Sequence, residues 1–212
     1  MALIKSALEL ALEKTKDLKM DPVSAEIASL KQEGKRAAGQ YLDDPDSFDL
    51  SKKIDSYPKD KRKAFKEGAH DILASRLQLP ANETGLATID SIGRGYAALT
   101  SGNGILGGAA GAIAEKKIQA LFQQLGGFVR KYLEDMKNVE QVIRKQWAPK
   151  LREKEREMAA RLGQDIRLDP MADPEFSAFY KQNVGAVRQQ YQAALDKAKK
   201  DLASMIGLGQ DE

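Results

Sequence analysis

The strongest constraint on the fold of this chain is a run of apolar residues at alternating spacings of four and three. The run consists of Ile118, Phe122, Leu125, Val129, Tyr132, Met136, Val139 and Ile143. Apolar residues that recur every 3.5 residues on average form one stripe along a long helix, and another helix must cover that stripe. The sequence therefore predicts a long helix here and at least one helix packed against it.

A second apolar stripe near the carboxyl end predicts the partner of this helix. It consists of Phe176, Tyr180, Val184, Val187, Tyr191, Ala194, Ala198, Leu202 and Met205. Asp173-Pro174-Glu175 marks its start, with an N-cap, a first-turn proline and a first-turn acid. Because only a loop over 163–173 separates the stripes, we expect a coiled-coil-like antiparallel hairpin over 112–206, with 118–143 packed against 184–205.

The rest of the sequence predicts an all-α fold with a helical head in front of the hairpin. Prolines and short polar turns separate apolar-periodic segments over residues 1–100, which we interpret as the head. Residues 101–111 contain five glycines and are interpreted as a linker, and 207–212 as a flexible tail. Pro149 removes a backbone donor within the first hairpin helix, so a kink is expected there.

Two adjacent glycines, Gly126 and Gly127, are a possible break in the first hairpin helix. Together they cost roughly 2 kcal/mol of helix propensity relative to alanine. The apolar stripe nevertheless keeps its phase across them. An uninterrupted helix, or one with a small distortion, is therefore expected.

Composition narrows the chemistry that is available. The chain has no cysteine and one histidine in 212 residues, so thiol nucleophiles and common nucleophile–histidine pairs are nearly excluded. Glu9 and Glu13 interrupt the apolar run near the start, which does not resemble a secretory signal. No segment approaches the roughly 20 apolar residues of a membrane span. We expect a cytoplasmic protein that uses no cofactor and no metal.

Two motifs match functional patterns only in part. Residues 102–107 fit the glycine spacing of dinucleotide-binding loops, but a predicted helix precedes them where a strand is required. Glu67 and His70 match half of a di-iron site whose second histidine does not exist in this chain. We therefore interpret the first motif as a linker and His70 as an ordinary residue of a helix surface.

The hairpin carries most of the excess positive charge. Residues 112–163 contain 12 basic and 7 acidic side chains, so an anionic partner would meet this region. Basic side chains around Trp147 could bind a nucleic-acid backbone and stack a base. Trp147 also lies on the apolar stripe, and interleaved glutamates would repel phosphates. The candidate anion-binding residues are Arg144, Lys145, Lys150, Arg152, Lys154 and Arg156.

The apolar face of the first hairpin helix is wider than contact with one partner helix requires. A third helix must cover the surplus, and it could come from the head or from a second copy of the chain. We expect a homo-oligomer, because soluble monomers seldom expose apolar patches beyond a few hundred Å². The candidate interaction surface consists of Leu121, Phe128, Leu133, Val142 and Trp147.

Three short segments of the chain stand out: Ile4-Lys5-Ser6-Ala7 through Glu13-Lys14-Thr15, Glu33-Gly34-Lys35-Arg36, and Tyr132-Leu133-Glu134. They resemble segments of an uncharacterised family of bacterial helical proteins, a domain of unknown function. The resemblance implies a cytoplasmic bacterial protein, and it transfers no activity and no site residue.

These observations favour a non-enzymatic structural or adaptor protein whose hairpin presents a surface to a protein partner or to itself. One alternative is a nucleic-acid-binding protein that uses the basic segment 144–161. A second alternative is an enzyme with a carboxylate site in the head.

Overall fold

The computed structural model describes residues 21–100 and 109–208, and this part of the chain is all-α, as predicted. Six α-helices follow one another: α1 (Pro22–Asp43), α2 (Leu50–Asp55), α3 (Lys59–Arg76), α4 (Gly85–Thr100), α5 (Ala109–Leu162) and α6 (Pro174–Met205). A short 3-10 helix, Pro170–Ala172, lies between α5 and α6. The first 20 residues of the predicted head, residues 101–108 of the predicted linker and the last four residues lie outside the described part.

The helices α1 and α3 cross at unusually short range in the head. A Cβ atom on Gly34 would lie 2.0 Å from the carbonyl oxygen of Phe65, and one on Gly68 would lie 1.9 Å from the carbonyl oxygen of Lys31. Only glycine permits such contact between two helix backbones. Three ion pairs flank the crossing: Glu26–Lys61, Lys31–Glu67 and Lys35–Asp71. Their residue numbers rise together, so the two helices run parallel.

The helix α5 is continuous over 54 residues, which corresponds to about 80 Å at 1.5 Å per residue. It passes through Gly126 and Gly127, as the phase of the apolar stripe indicates, and it does not end at Pro149. It begins at Ala109, three residues before the predicted start, so residues 109–111 of the predicted linker are helical. Gly163, with φ of 69°, follows its last residue and donates its N–H to the carbonyl of Ala159.

Contacts between α5 and α6 give the pair an antiparallel arrangement. The ring of Tyr191 lies 5.2 Å from that of Tyr132. Further along, Phe176 lies 5.8 Å from Trp147. As the residue number falls along α6, that of its contact on α5 rises, which is the order of a hairpin.

The end of α6 is closed by a regular turn. Gly207, with φ of 79°, donates its N–H to the carbonyl of Ser204, and Leu208 donates to that of Ala203. This pair of bonds is the Schellman motif, which requires a left-handed residue after the helix. Leu208 also packs against the core. The first two residues of the predicted tail 207–212 are therefore part of the folded structure, and the flexible-tail interpretation does not hold for them.

The head covers one end of the hairpin, which we call the base. Tyr96 of α4 is fully buried, and its ring lies 5.8 Å from that of Phe122 on α5. A Cβ atom on Gly93 would approach the Phe122 side chain to 2.8 Å, so α4 lies directly on α5. Buried residues of the head, α5 and α6 form one core. The head is one of the two sources of cover that the sequence left open, and α4 is the helix of the head that lies on the wide apolar face of α5.

Candidate interaction surface at the tip of the hairpin

The hairpin has a second, smaller core beyond the reach of the head. Its buried residues are Ile143, Trp147 and Phe176, and partly buried residues of α5 and α6 surround them. Among the described residues, none from α1–α4 belongs to this cluster. The distal half of the hairpin, defined here as 139–184, is therefore held together by α5, α6 and the loop between them.

Aromatic and polar contacts join the two helices of the distal half. The ring of Trp147 lies 5.8 Å from those of Phe176 and Phe179. The hydroxyl of Tyr180 donates a 2.6 Å hydrogen bond to Glu140 Oε1. This bond, together with partial burial and the glutamate charge, raises the pKa of Tyr180, because each favours the neutral phenol. These contacts fix the register of the distal half.

Asp173 fastens the start of α6 to α5. Its Oδ1 accepts the backbone N–H groups of Glu175 and Phe176 at 2.9 and 3.0 Å, and so caps the helix. Its Oδ2 accepts a 2.5 Å hydrogen bond from Lys154 Nζ. That bond, with the cap bonds, lowers the pKa of Asp173, because it favours the carboxylate. Lys154 Nζ also lies 3.4 Å from Glu175 Oε2, so two carboxylates neutralise one ammonium.

The helix α5 extends beyond the start of α6. Because Asp173 contacts Lys154, the last eight residues of α5, 155–162, project about 12 Å past that contact. Glu155 Oε1 accepts the backbone N–H of Leu168 at 3.0 Å and holds the loop against this overhang. The loop leaves the overhang only partly covered.

Three large apolar side chains are exposed at this end, which we call the tip. Met158 is 41 % exposed and Leu162 60 %, and they lie one turn apart on α5. Met171 of the 3-10 helix is 44 % exposed. Sequence reasoning missed all three, although a signal existed. Met158 follows Leu151 by seven residues and Leu162 follows Met158 by four, so the apolar stripe of α5 continues beyond the stripe of α6.

A cleft of about 370 Å³ opens beside the overhang. Its apolar lining comes from Met158, Leu168, Ala172 and Pro174. Its charged lining comes from Lys154, Glu157, Asp169 and Asp173. The cleft at the tip therefore has both apolar and charged lining residues, a combination found in many sites that bind another molecule.

The structure does not bring the predicted interaction residues together as one exposed face. Leu121 and Leu133 are partly buried against the larger core, and the ring of Phe128 lies 4.9 Å from that of Tyr191. Trp147 is only 9 % exposed, whereas Val142 is 52 % exposed. Four of these five residues thus pack within the chain, because α4 and α6 cover the face that the sequence left open.

The predicted anion-binding residues divide into engaged and exposed groups. Lys150 Nζ lies 4.6 Å above the ring of Trp147, and Lys154 is held by two carboxylates. The remaining four are exposed and form no ion pair with any described residue: Arg144, Lys145, Arg152 and Arg156. The buried Trp147 cannot offer a face for stacking a base.

His70, which belongs to the partial di-iron motif, packs against another side chain of the head. His70 is not an ordinary surface residue, because it is partly buried and its Nδ1 lies 3.0 Å from the hydroxyl of Tyr96. In the described part of the chain, no group of three or more His, Asp or Glu side chains is arranged to hold a metal ion. None of the described helices is long and apolar enough to cross a membrane.

Comparison with known proteins gives one match. A family of unknown function, DUF6657, matches residues 51–204, which include the second half of the head and nearly all of the hairpin. No curated protein and no solved structure matches the chain.

Proposed function

We propose that this chain, which belongs to the family of unknown function DUF6657, is a non-enzymatic adaptor that binds a partner protein at the tip of its hairpin. The observation that carries the proposal is the unequal cover of the hairpin. The head packs on the base, whereas the distal half rests on its own small core and ends in exposed apolar side chains. A hairpin anchored at one end presents the other end to a partner at a fixed distance.

The exposed side chains at the tip are of the kind that supports protein binding. Single exposed apolar residues are common on protein surfaces, but Met158 and Leu162 are neighbours on one helix face, and Met158 also lines the cleft. Full burial of one such side chain contributes about 1.5–3 kcal/mol. Methionine also adapts its shape to different partners. Covering the tip would therefore stabilise a complex without any rearrangement of the hairpin.

Nucleic-acid binding is the second candidate, and four exposed basic residues favour it. Arg144, Lys145, Arg152 and Arg156 have no ion pair among the described residues. It ranks second because Trp147 is buried and Lys154 is already neutralised. Binding that falls steeply with salt and is lost on replacing Arg152 and Arg156 by glutamine would favour this candidate over the adaptor.

An affinity purification with matched variants tests the adaptor. The double variant Met158→Asp/Leu162→Asp places charges on the apolar face of the overhang. The control, Ala160→Asp, adds a charge to an exposed position of the same overhang. The full chain and the control should retain the same protein from native lysate, and the double variant should lose it while circular dichroism stays unchanged. Equal retention by all three would refute tip binding.

A further inference from the structure

The charges around the tip cleft are mostly negative, although the surrounding segment is basic. The charged lining residues are three carboxylates and one ammonium: Glu157, Asp169, Asp173 and Lys154. The ammonium of Lys154 is already shared between Asp173 and Glu175. The lining residues of the cleft therefore carry an excess of negative charge.

Two of the carboxylates remain available to a ligand. Glu157 is exposed and forms no ion pair with any described residue. Asp169 is also exposed; its Oδ1 accepts the backbone N–H of Met171 at 3.0 Å, but no described cation contacts it. Arg161 and Arg167 lie nearby in the sequence, yet neither lines the cleft. Exposed carboxylates that contact no cation attract positively charged groups and repel phosphates or acidic peptides.

The cleft also has apolar lining residues and a volume suited to a ligand. Met158, Leu168, Ala172 and Pro174 line it, and its volume of about 370 Å³ lies within the range of protein ligand pockets, roughly 300–1,000 Å³. An apolar group would displace water from these apolar side chains, while the carboxylates that line the same cleft would select the charge beside that group.

From this combination, and resting on the proposed function, we infer that the tip cleft binds a basic, apolar peptide segment of the partner protein. One apolar side chain of the segment enters the cleft between Met158 and Leu168. A neighbouring lysine or arginine pairs with Glu157 and Asp169. The apolar contact supplies most of the affinity, and the charges supply the selection among partners.

A selection with a random phage-displayed peptide library on the full chain tests this inference. Phages that also bind the Met158→Asp variant are removed first. The selected peptides should share an apolar residue next to lysine or arginine. Their consensus, made as a fluorescent peptide, should bind the full chain, and Glu157→Lys should weaken that binding by about fivefold or more. Glu153→Lys is the control, because Glu153 is exposed one turn earlier and does not line the cleft.

Several results would overturn the inference. They are selection of acidic or uncharged peptides, failure to select any peptide, or equal weakening by Glu157→Lys and Glu153→Lys. Light scattering that shows a dimer dissociated by Met158→Asp would instead make a second copy the occupant. Peptides that depend on Met158 but lack basic residues would leave the adaptor proposal standing. Retention of the partner by Met158→Asp/Leu162→Asp in the affinity purification would refute the adaptor itself.

Discussion

Replacing Gly34 by alanine should destabilise the protein, although alanine is the better helix former. The new Cβ would lie 2.0 Å from the carbonyl oxygen of Phe65 and 3.0 Å from the backbone nitrogen of Ala69. Carbon–oxygen contacts between backbones are ordinarily no closer than about 3.3 Å. The helices α1 and α3 would have to separate by more than about 1 Å, because no side-chain rotation relieves a clash with backbone.

The size of the effect follows from two opposing contributions. Overpacking of a well-packed interior costs about 1–3 kcal/mol, and a clash with backbone belongs at the upper end. Alanine regains about 1 kcal/mol of helix propensity. The expected net loss is about 2 kcal/mol of unfolding free energy. For a chain of this length that loss corresponds to a decrease in Tm of about 4–8 °C.

A second glycine of the same helix provides the control. A Cβ atom on Gly39 would meet no atom within 4 Å. Gly39→Ala should therefore stabilise the protein by about 0.5–1 kcal/mol. Urea unfolding followed by far-ultraviolet circular dichroism measures both variants against the parent. If Gly34→Ala is as stable as Gly39→Ala, the close crossing of α1 and α3 is incorrect.

Three further predictions concern buried or partly buried groups. Burial lowers the pKa of His70 from its ordinary value of 6.5. The free energy of unfolding should therefore be at its full value above pH 6.5 and should fall as the pH drops below that value. In urea titrations across this pH range, His70→Gln should flatten the dependence of the unfolding free energy on pH. Lys66 is 2 % exposed, and its burial, followed by the nearby Arg62 charge, lowers its pKa. Lys66→Met should therefore raise the free energy of unfolding by about 1 kcal/mol at neutral pH, with the gain shrinking as the pH approaches 10.5. An unchanged Tm at neutral pH would contradict this prediction. Met136 is partly buried against the core, whereas Lys137 is exposed. Met136→Asp should therefore lower the free energy of unfolding by about 2 kcal/mol more than Lys137→Asp does. Equal Tm values for the two variants would show that the phase of the apolar stripe is misassigned.

Local signals in the sequence were sufficient to predict much of the hairpin. The stripe from Ile118 to Ile143 specifies one long helix because its spacing repeats without interruption across Gly126 and Gly127. The start of α6 was also predictable from local sequence, since Asp173 caps the helix by accepting the N–H groups of the residues two and three positions after it. Such signals depend on neighbours in the sequence and need no knowledge of the tertiary fold.

Features that depend on which surfaces meet could not be predicted in this way. From the sequence alone, Gly34 and Gly68 look like weak points of two helices. The crossing of α1 and α3 explains them, because the two backbones meet at these glycines. The wide apolar face of α5 indicated a third helix, but the sequence did not identify α4 as that helix. Most of the predicted interaction residues pack within the chain because α4 and α6 cover them, which the sequence alone did not show. Self-association stays a prediction.

Site-specific photocrosslinking along the hairpin tests the adaptor proposal most directly. A photoreactive phenylalanine analogue would replace Met158 at the tip or Ala120, an exposed residue at the base, with each variant expressed in the native host. Binding at the tip predicts a crosslinked partner protein from position 158, none from position 120, and loss of the 158 crosslink when Leu162→Asp is added. Equal crosslinking from both positions, or crosslinking from position 120 alone, would contradict it.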